Sequence, residues 1–250
     1  MVPKHATAAF DLIDAMRNLH EPAAVLGRFG EAVRPFGFHS FLITGLPLPG
    51  RKIEPYILLN GWPDGWYRRY TARSYVQNDP IARYCYTTIN PFLWSAVTNS
   101  VEIEGRAKCV MDDATEFDMR EGFVVPVFDS SGFQAAVTMA GGKLNFPLEA
   151  GPAIHLMAIY AHAKIRQLVH ERLDDGKRQP AAAYFNPLTE REREILKWTA
   201  MGKTAWEISR ILHISQRTVE DHLCHVRCKL DTATSTQAVV EALRLRLIQL

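Results

Sequence analysis

The sequence has few cysteines, no long uncharged apolar run and almost no net charge, and each shortage excludes a class of protein. Its four cysteines include no C-x-x-C pair, so the chain is not built on a disulfide framework. The absence of any stretch of about 18 apolar residues excludes a membrane-spanning helix. Asp11 and Asp14 interrupt the apolar core that a signal peptide would need near the start. We therefore expect a soluble, cytoplasmic protein with no membrane partner.

Charge is nearly balanced, with 29 Lys and Arg against 27 Asp and Glu, but it is unevenly distributed. Residues 186–250 hold ten basic and eight acidic side chains, which leaves nineteen of each in the rest of the chain. The whole net charge of +2 thus lies in the last quarter of the sequence. This local excess weakly favours a polyanion such as nucleic acid as the partner of that segment.

Hydrophobic periodicity divides the 250 residues into two domains and a linker. In residues 1–173, helical patterns stand on both sides of short runs that are typical of paired strands. This order predicts an α/β/α sandwich, in which helices cover both faces of a sheet. Residues 174–186 break every period and form the linker, and residues 187–250 are all-helical, so the fold class is α+β. The predicted helices of the first domain are 7–20, 22–36, 66–73, 80–86, 108–120 and 148–173. Its predicted strands are 38–44 and 53–60, which form a hairpin, and 123–128 and 133–140, which are joined by a turn at 129–132.

The second domain carries several signals for the start of a helix. They are two pairs with the spacing of a capping box, Thr189 with Glu192 and Thr204 with Glu207, and two serines, Ser215 and Ser235. Apolar side chains recur at helical spacing after each signal, which predicts four helices with one buried face each. The side chains expected to face the core are Ile195, Leu196, Thr199, Ile208, Ile211, Leu212, Val219, Leu223, Val226, Leu230, Ala238, Val239, Ala242 and Leu243.

A short helix, a tight turn at His213 and Ile214 and a longer helix predict a helix-turn-helix, whose second helix fits the major groove of DNA. The alternative is a small helical bundle with a solvated face. Glu220 and Asp221 repel phosphate, although Glu220 can accept a hydrogen bond from cytosine. The residues predicted to contact DNA are Lys203, Thr204, Gln216, Arg217, Thr218, Glu220 and Cys224.

Cys224 and Cys228 lie one helical turn apart, and His222 and His225 are close to them in the sequence. Two thiols at this spacing can bind the same metal ion, but the sequence has no second cluster of ligands to complete such a site. We therefore expect no metal site, and no other motif calls for a cofactor.

Aromatic residues are concentrated in the first domain, with ten of the chain's 25 between Tyr56 and Trp94. Such local density indicates the wall of a pocket for a small, mostly apolar ligand. Trp66 and Tyr70 are one helical turn apart and can face the same cavity. Asp79 stands just before Pro80, where it either caps a helix or accepts a hydrogen bond from a ligand amide. The spacing alone favours the cap.

The second domain resembles the LuxR-type DNA-binding domain over some sixty residues, with the family spacing throughout. The residues that carry the resemblance are Leu188-Thr189-x-Arg191-Glu192, Leu196-x-Trp198, Gly202-Lys203-Thr204, Glu207-Ile208, Leu212-x-Ile214-Ser215, Thr218-Val219-x-x-His222-Leu223 and Lys229-Leu230. The resemblance implies a transcription regulator that binds double-stranded DNA at an inverted repeat as a homodimer, with RNA polymerase as a further partner.

The first domain is similar to acyl-homoserine-lactone-binding domains in Trp66-x-x-x-Tyr70, Asp79-Pro80, Trp94 and Gly122. The resemblance implies that Trp66 donates to the lactone carbonyl and that Asp79 accepts the amide N–H. It also implies that Trp94 packs on the lactone ring, that Tyr70 lines the acyl chain and that Gly122 is structural.

Two more positions follow from the same resemblance. Thr138 matches a hydroxyl that contacts the amide carbonyl, and Trp62 stands where relatives often place a tyrosine that donates to that carbonyl. The expected ligand is therefore an N-acyl- or aryl-homoserine lactone, held by Trp62, Trp66, Tyr70, Asp79, Trp94 and Thr138.

Two alternatives stand beside this hypothesis. One is a regulator of the same architecture that needs no lactone or senses another small molecule. The other is an enzyme that acts on the lactone, but the sequence has no G-x-S-x-G elbow, no H-x-H pair and no Ser or Cys with an evident base partner. We therefore expect no catalytic residues.

Overall fold

The structure is a computed structural model and describes residues 4–47, 50–100, 102–128, 134–174, 188–245 and 247–249. The predicted turn at 129–132 and nearly all of the predicted linker at 174–186 lie outside these residues. The described residues divide into two compact units, of which the first holds residues up to 127 and 134–174 and the second holds residues from 188 onward. Within the described residues, no helix has the length and apolar character needed to cross a membrane.

The first unit is built on a five-stranded sheet with the strand order β2-β1-β5-β4-β3. Strand β1 pairs antiparallel with both β2 and β5, and β3 pairs antiparallel with β4. The predicted pairing of the first two strands is therefore confirmed. The strands are β1 Ser40–Gly45, β2 Ile57–Gly61, β3 Phe92–Leu93, β4 Glu121–Phe128 and β5 Gln134–Gly141.

Three helices cover one face of the sheet and bury the larger core of this unit. Phe29, Phe41, Met139 and Met157 are among its fully or almost fully buried residues. The helices pack on one another and on β2 and β5, and Pro22 begins the second of them as predicted. They are α1 Lys4–Arg17, α2 Pro22–Val33 and α7 Gly151–Asp174.

Four shorter helices cover the opposite face, where two smaller clusters of buried side chains meet the sheet. The predicted α/β/α sandwich is thus confirmed. Strand β3 and the helix that follows it were not predicted, because elements of two and five residues are too short to show a period. The helices are α3 Asp64–Ala72, α4 Pro80–Cys85, α5 Trp94–Thr98 and α6 Gly105–Thr115.

The second unit contains four helices in the described residues, as predicted. Ile195, Ile208 and Val219 form the centre of its core. Three details differ: Thr234 rather than Ser235 caps the last helix, and Ile211 and Leu243 are 39% and 36% exposed. Both side chains lie at the edge of an apolar stripe, where the described residues cover them only in part. The helices are α8 Glu190–Ala200, α9 Ala205–Leu212, α10 Gln216–Leu230 and α11 Ser235–Arg244.

Candidate ligand cavity and DNA-binding surface

A cavity lies between the sheet and the four short helices, and alternate strand residues form its floor. Thr44 on β1 stands opposite Ala136 on β5, and Leu42 stands opposite Thr138. All four side chains line the cavity, because successive residues of a strand point to opposite faces. The small Ala136 leaves room at the centre of the floor.

The cavity has about 60 Å³ of free volume, whereas a single water needs roughly 10–15 Å³. Its lining is almost wholly apolar, with few polar groups among the side chains. The lining residues are Leu42, Thr44, Leu46, Pro47, Ile53, Trp62, Trp66, Tyr70, Val76, Asp79, Ile81, Ala82, Cys85, Trp94, Val110, Met111, Ala114, Met119, Val124, Ala136 and Thr138. Apolar walls with few polar groups are typical of a pocket that selects a small, mostly apolar molecule.

Helix α3 and the residues before it supply an aromatic wall. The ring centroids of Trp66 and Tyr70 are 5.4 Å apart, as expected for side chains one helical turn apart. Trp62 lies 4.9 Å from the Tyr70 ring and 6.0 Å from the Trp66 ring. Edge-to-face and tilted contacts at these distances are favourable, so the three rings hold one another in place.

Asp79 is the acidic side chain of the cavity and already has donors for both carboxylate oxygens. Its Oδ1 accepts from the backbone N–H groups of Ile81 at 2.8 Å and Ala82 at 3.3 Å, which confirms that it caps α4. Its Oδ2 accepts from the Tyr70 hydroxyl at 2.7 Å. Protein groups thus partner both oxygens, and the acceptance of a ligand amide N–H by Asp79 stays a prediction.

Burial changes the ionisation of these groups. Burial raises the pKa of Asp79, although hydrogen bonds from Tyr70 and the two backbone N–H groups favour its charged form and offset part of that rise. Burial and the neighbouring Asp79 raise the pKa of Tyr70 well above its ordinary value. Burial also raises the pKa of the Cys85 thiol, so this cysteine is an inert part of the wall.

The Trp94 ring packs against Gly122 of β4, a residue that has no side chain. A Cβ on Gly122 would clash with Cε2 of Trp94 and would stand 2.5 Å from its Nε1 and 2.7 Å from the carbonyl oxygen of Met139. The backbone N–H groups of Ser95 and Gly122 both donate to Oε1 of Glu121, which holds the start of α5 against β4. The buried Trp94 Nε1 has no acceptor among the described residues.

Replacing Gly122 by alanine should destabilise the first unit by about 1–3 kcal/mol, because the added Cβ meets both an indole ring and a backbone carbonyl. The matched control is Gly27→Ala, since Gly27 lies inside α2 with nothing within 4 Å of an added Cβ. Alanine there should stabilise the protein by about 0.5–1 kcal/mol. Thermal unfolding of both variants measures the difference, and equal midpoints would disprove the role assigned to Gly122.

The structure brings together all six residues predicted to hold a ligand: Trp62, Trp66, Tyr70, Asp79, Trp94 and Thr138 line the cavity. The floor residues Thr44, Val124 and Ala136 were not predicted from the sequence. Their signal is the strand period, which becomes informative only once the buried face of each strand is known. The roles that the resemblance implies for the six residues remain predictions.

In the second unit, both predicted capping boxes are present. The Thr189 side chain accepts from the backbone N–H of Glu192, whose carboxylate accepts from the backbone N–H of Thr189, and Thr204 and Glu207 do the same. Burial alone would raise the pKa of Glu192, but hydrogen bonds from Lys229 and Thr189 hold it below its ordinary value. Lys229 Nζ lies 2.7 Å from Glu192 Oε2 and so joins α10 to α8.

The turn between α9 and α10 has the geometry of a helix-turn-helix. His213 ends α9 in the left-handed conformation, with φ of 52°, and Ser215 caps α10 by accepting from the backbone N–H of Thr218. The Gln216 amide donates to Oε1 of Glu220 at 2.8 Å. Of the residues predicted to contact DNA, Thr218 is half-buried and the rest are exposed: Lys203, Thr204, Gln216, Arg217, Glu220 and Cys224.

Cys224 and Cys228 are free, exposed thiols on α10. Throughout the part of the chain that the structure describes, no three side chains of His, Cys, Asp or Glu come together as metal ligands could. The expectation that the chain needs no metal remains a prediction.

A buried, mostly apolar cavity in one unit and a helix-turn-helix in the other define a ligand-responsive transcription regulator. The family model of autoinducer binding domains matches residues 21–165, and that of bacterial regulatory proteins of the luxR family matches residues 186–242. The chain is 37% identical over 240 residues to the transcriptional activator protein BjaR1 of Bradyrhizobium diazoefficiens, covering 96% of each chain. It is 38% identical over 242 residues to RpaR of Rhodopseudomonas palustris, a quorum sensing-dependent transcriptional regulator, covering 97% of this chain and 95% of that one.

The chain belongs to the LuxR family of quorum-sensing transcription regulators, and it carries an autoinducer-binding domain. Solved structures agree with the fold. SdiA of Escherichia coli superposes with a TM-score of 0.61 at 17% identity, covering 97% of this chain and 98% of that one. CepR2 of Burkholderia cenocepacia gives a TM-score of 0.54 at 21% identity, covering 66% of this chain and 98% of that one. The protein is therefore a DNA-binding regulator with a small-molecule site, and its relatives are regulators rather than enzymes.

Proposed function

We propose that the cavity binds an N-acyl- or aryl-homoserine lactone and that the protein then activates transcription. The observation that carries the ligand class is Asp79. An ionised carboxylate offers about four lone-pair positions, and three are occupied by Tyr70, Ile81 and Ala82. One position is left in a mostly apolar cavity, which matches a molecule with one amide N–H and a hydrocarbon group.

The geometry also favours a small acyl group. Trp62 and Trp66 narrow the cavity on one side, while Met111 and Val124 contribute to its lining elsewhere. A molecule that fills apolar space in the folded protein but not in the unfolded chain stabilises folding by mass action. The proposed ligand therefore raises the unfolding temperature by an amount that grows with its affinity and its concentration.

The test is thermal unfolding of the full-length protein with a panel of straight-chain, branched and aryl homoserine lactones. One class should raise the midpoint by several degrees. Octanoyl-glycerol, which accompanies SdiA in a solved structure, represents acyl compounds without a lactone. Stabilisation by octanoyl-glycerol and by none of the lactones would establish the alternative, a regulator of the same architecture that senses another small molecule.

We further propose that the protein acts as a homodimer on an inverted-repeat promoter site, with RNA polymerase as its partner in the bacterial cytoplasm. Helix α7 supports the dimer, because Ile159 and Tyr160 are 38% and 45% exposed on its outer face. Large apolar side chains side by side on a helix surface favour a protein interface. Analytical ultracentrifugation of the liganded protein with Ile159→Asp and Tyr160→Asp tests this role.

Replacing Arg217 by alanine should weaken binding to specific and unrelated DNA by the same factor. Arg217 is exposed in the first turn of α10, beside the positive end of the helix dipole, where a phosphate fits. The slope of log affinity against log salt should fall by about one unit. A fluorescence-anisotropy titration at several salt concentrations measures both effects, and an unchanged slope would show that Arg217 contacts no phosphate.

A further inference from the structure

Helix α6 forms one wall of the cavity and is exposed on its outer side. Its two buried residues, Val110 and Ala114, line the cavity, as does Met111. Val110 and Ala114 pack in the cluster that contains Trp66 and Tyr70. The inner face of α6 therefore covers the space that the proposed ligand occupies.

One carboxylate on this helix is the centre of a polar network. Oδ2 of Asp113 accepts from the Tyr75 hydroxyl at 2.6 Å and from Arg73 at 2.8 Å, and it lies 3.4 Å from Nη1 of Arg69. The Asp113 side chain is 17% exposed, so water screens these contacts less than it would on the open surface. Arg69 also donates to Glu116, just beyond the end of α6, at 2.7 Å.

All three partners of Asp113 come from residues 69–75, a segment that includes Tyr70 of the aromatic wall. The Tyr75 ring lies 6.1 Å from Trp66 and 5.9 Å from Tyr70, and Tyr70 in turn donates to Asp79. Asp113 thus ties the helix that covers the cavity to the segment whose Tyr70 hydroxyl donates to Asp79.

Resting on the proposed function, we propose that Asp113 is a positioning residue that holds α6 closed over the bound ligand. Ligand passes in and out when α6 moves away from residues 69–75, and the Asp113 network opposes that movement. Removing the network should speed association and dissociation together, by on the order of tenfold each, while the affinity changes much less.

The test compares Asp113→Asn with Asp112→Asn in the full-length protein. The matched control is adjacent on the same helix, but Asp112 is exposed and pairs with Lys108 of its own helix. Stopped-flow tryptophan fluorescence measures both rate constants, using the lactone of the panel that most raises the unfolding midpoint. Tyr75→Phe removes one donor and keeps the ring, so it should produce a smaller change of the same kind.

A second readout needs no ligand. Hydrogen exchange of the α6 amides in the ligand-free protein should be faster in Asp113→Asn than in the wild type, and unchanged in Asp112→Asn. Equal exchange and equal rate constants in the two variants would overturn the proposal. A larger dissociation rate constant with an unchanged association rate constant would also overturn it, because that pattern indicates a damaged binding site and not a released helix α6. If the wild type binds no lactone, the proposed function fails, while the exchange comparison still decides the role of Asp113.

Discussion

Asparagine in place of Asp79 should weaken lactone binding by about 10- to 100-fold and leave the ligand-free fold intact. A hydrogen bond from a ligand amide to a buried carboxylate contributes about 1.5–3 kcal/mol, and a neutral amide oxygen provides less. The asparagine oxygen still accepts from the backbone N–H groups at the start of α4, so the helix cap survives. A titration with the lactone, followed by the fluorescence of the cavity tryptophans, measures the affinity.

The raised pKa of Asp79 predicts a pH dependence in the wild-type protein. The folded ligand-free domain holds the Asp79 proton more tightly than the unfolded chain does. Protonated Asp79 therefore contributes its full stabilisation of the fold below the ordinary pKa. This stabilisation is lost as pH rises through the raised pKa. A ligand N–H favours the charged form, so wild-type affinity should rise over that same interval.

The asparagine variant should show neither trend, and Asp112→Asn should behave as the wild type in both measurements. If Asp79→Asn binds the lactone as tightly as the wild type, Asp79 is only a helix cap, and the ligand class proposed for the cavity loses its main support.

Methionine in place of Lys229 should destabilise the second unit by about 2–3 kcal/mol. Glu192 is 3% exposed, and the variant leaves its carboxylate without the cation that faces it. Removing one member of a fully buried pair costs about 3–5 kcal/mol, and the partial exposure of Lys229 lowers that figure. Methionine keeps most of the side-chain volume, so lost packing contributes little.

Hydrogen exchange of the α8 and α10 amides in the full-length protein measures this loss, and weaker DNA binding should accompany it. Arg244→Met is the control, because Arg244 and Glu241 form an ion pair within α11 at the surface, where such pairs contribute little. In the wild type, the depressed pKa of Glu192 gives stability that is present at neutral pH and lost as pH falls through it. The gap between variant and wild type should therefore narrow in acid, and a constant gap would contradict this account.

How far the sequence predicts the structure depends on how far apart the interacting residues are. Both predicted capping boxes join residues three apart, so the sequence around Thr189 and Thr204 predicts where each helix begins. Trp66 and Tyr70 likewise face one cavity because they are one turn apart. Strand β3 and helix α5 were missed because their support comes from elsewhere: Glu121 holds the start of α5 from 26 positions along the chain.

The same distinction applies to the polar groups. The sequence places Asp79 at the start of α4, but the Tyr70 hydroxyl that occupies its second oxygen depends on how α3 packs. Lys229 and Glu192 are 37 positions apart, and Asp113 lies 38 positions from Tyr75. Such contacts join side chains on different elements, so no local pattern reveals them. Ile211 shows the converse, since its helical spacing is right but the described part of the bundle covers it only partly.

The alternation along β1 and β5 allows the signal specificity of this protein to change independently of its structural core. Leu42, Thr44, Ala136 and Thr138 line the cavity, whereas their immediate neighbours Ile43 and Val137 are buried in the layer under α1, α2 and α7. Substitutions at every second position can therefore alter which molecule is recognised while the packed layer stays unchanged. Natural evolution and engineered libraries can therefore both change the recognised molecule by varying these four positions.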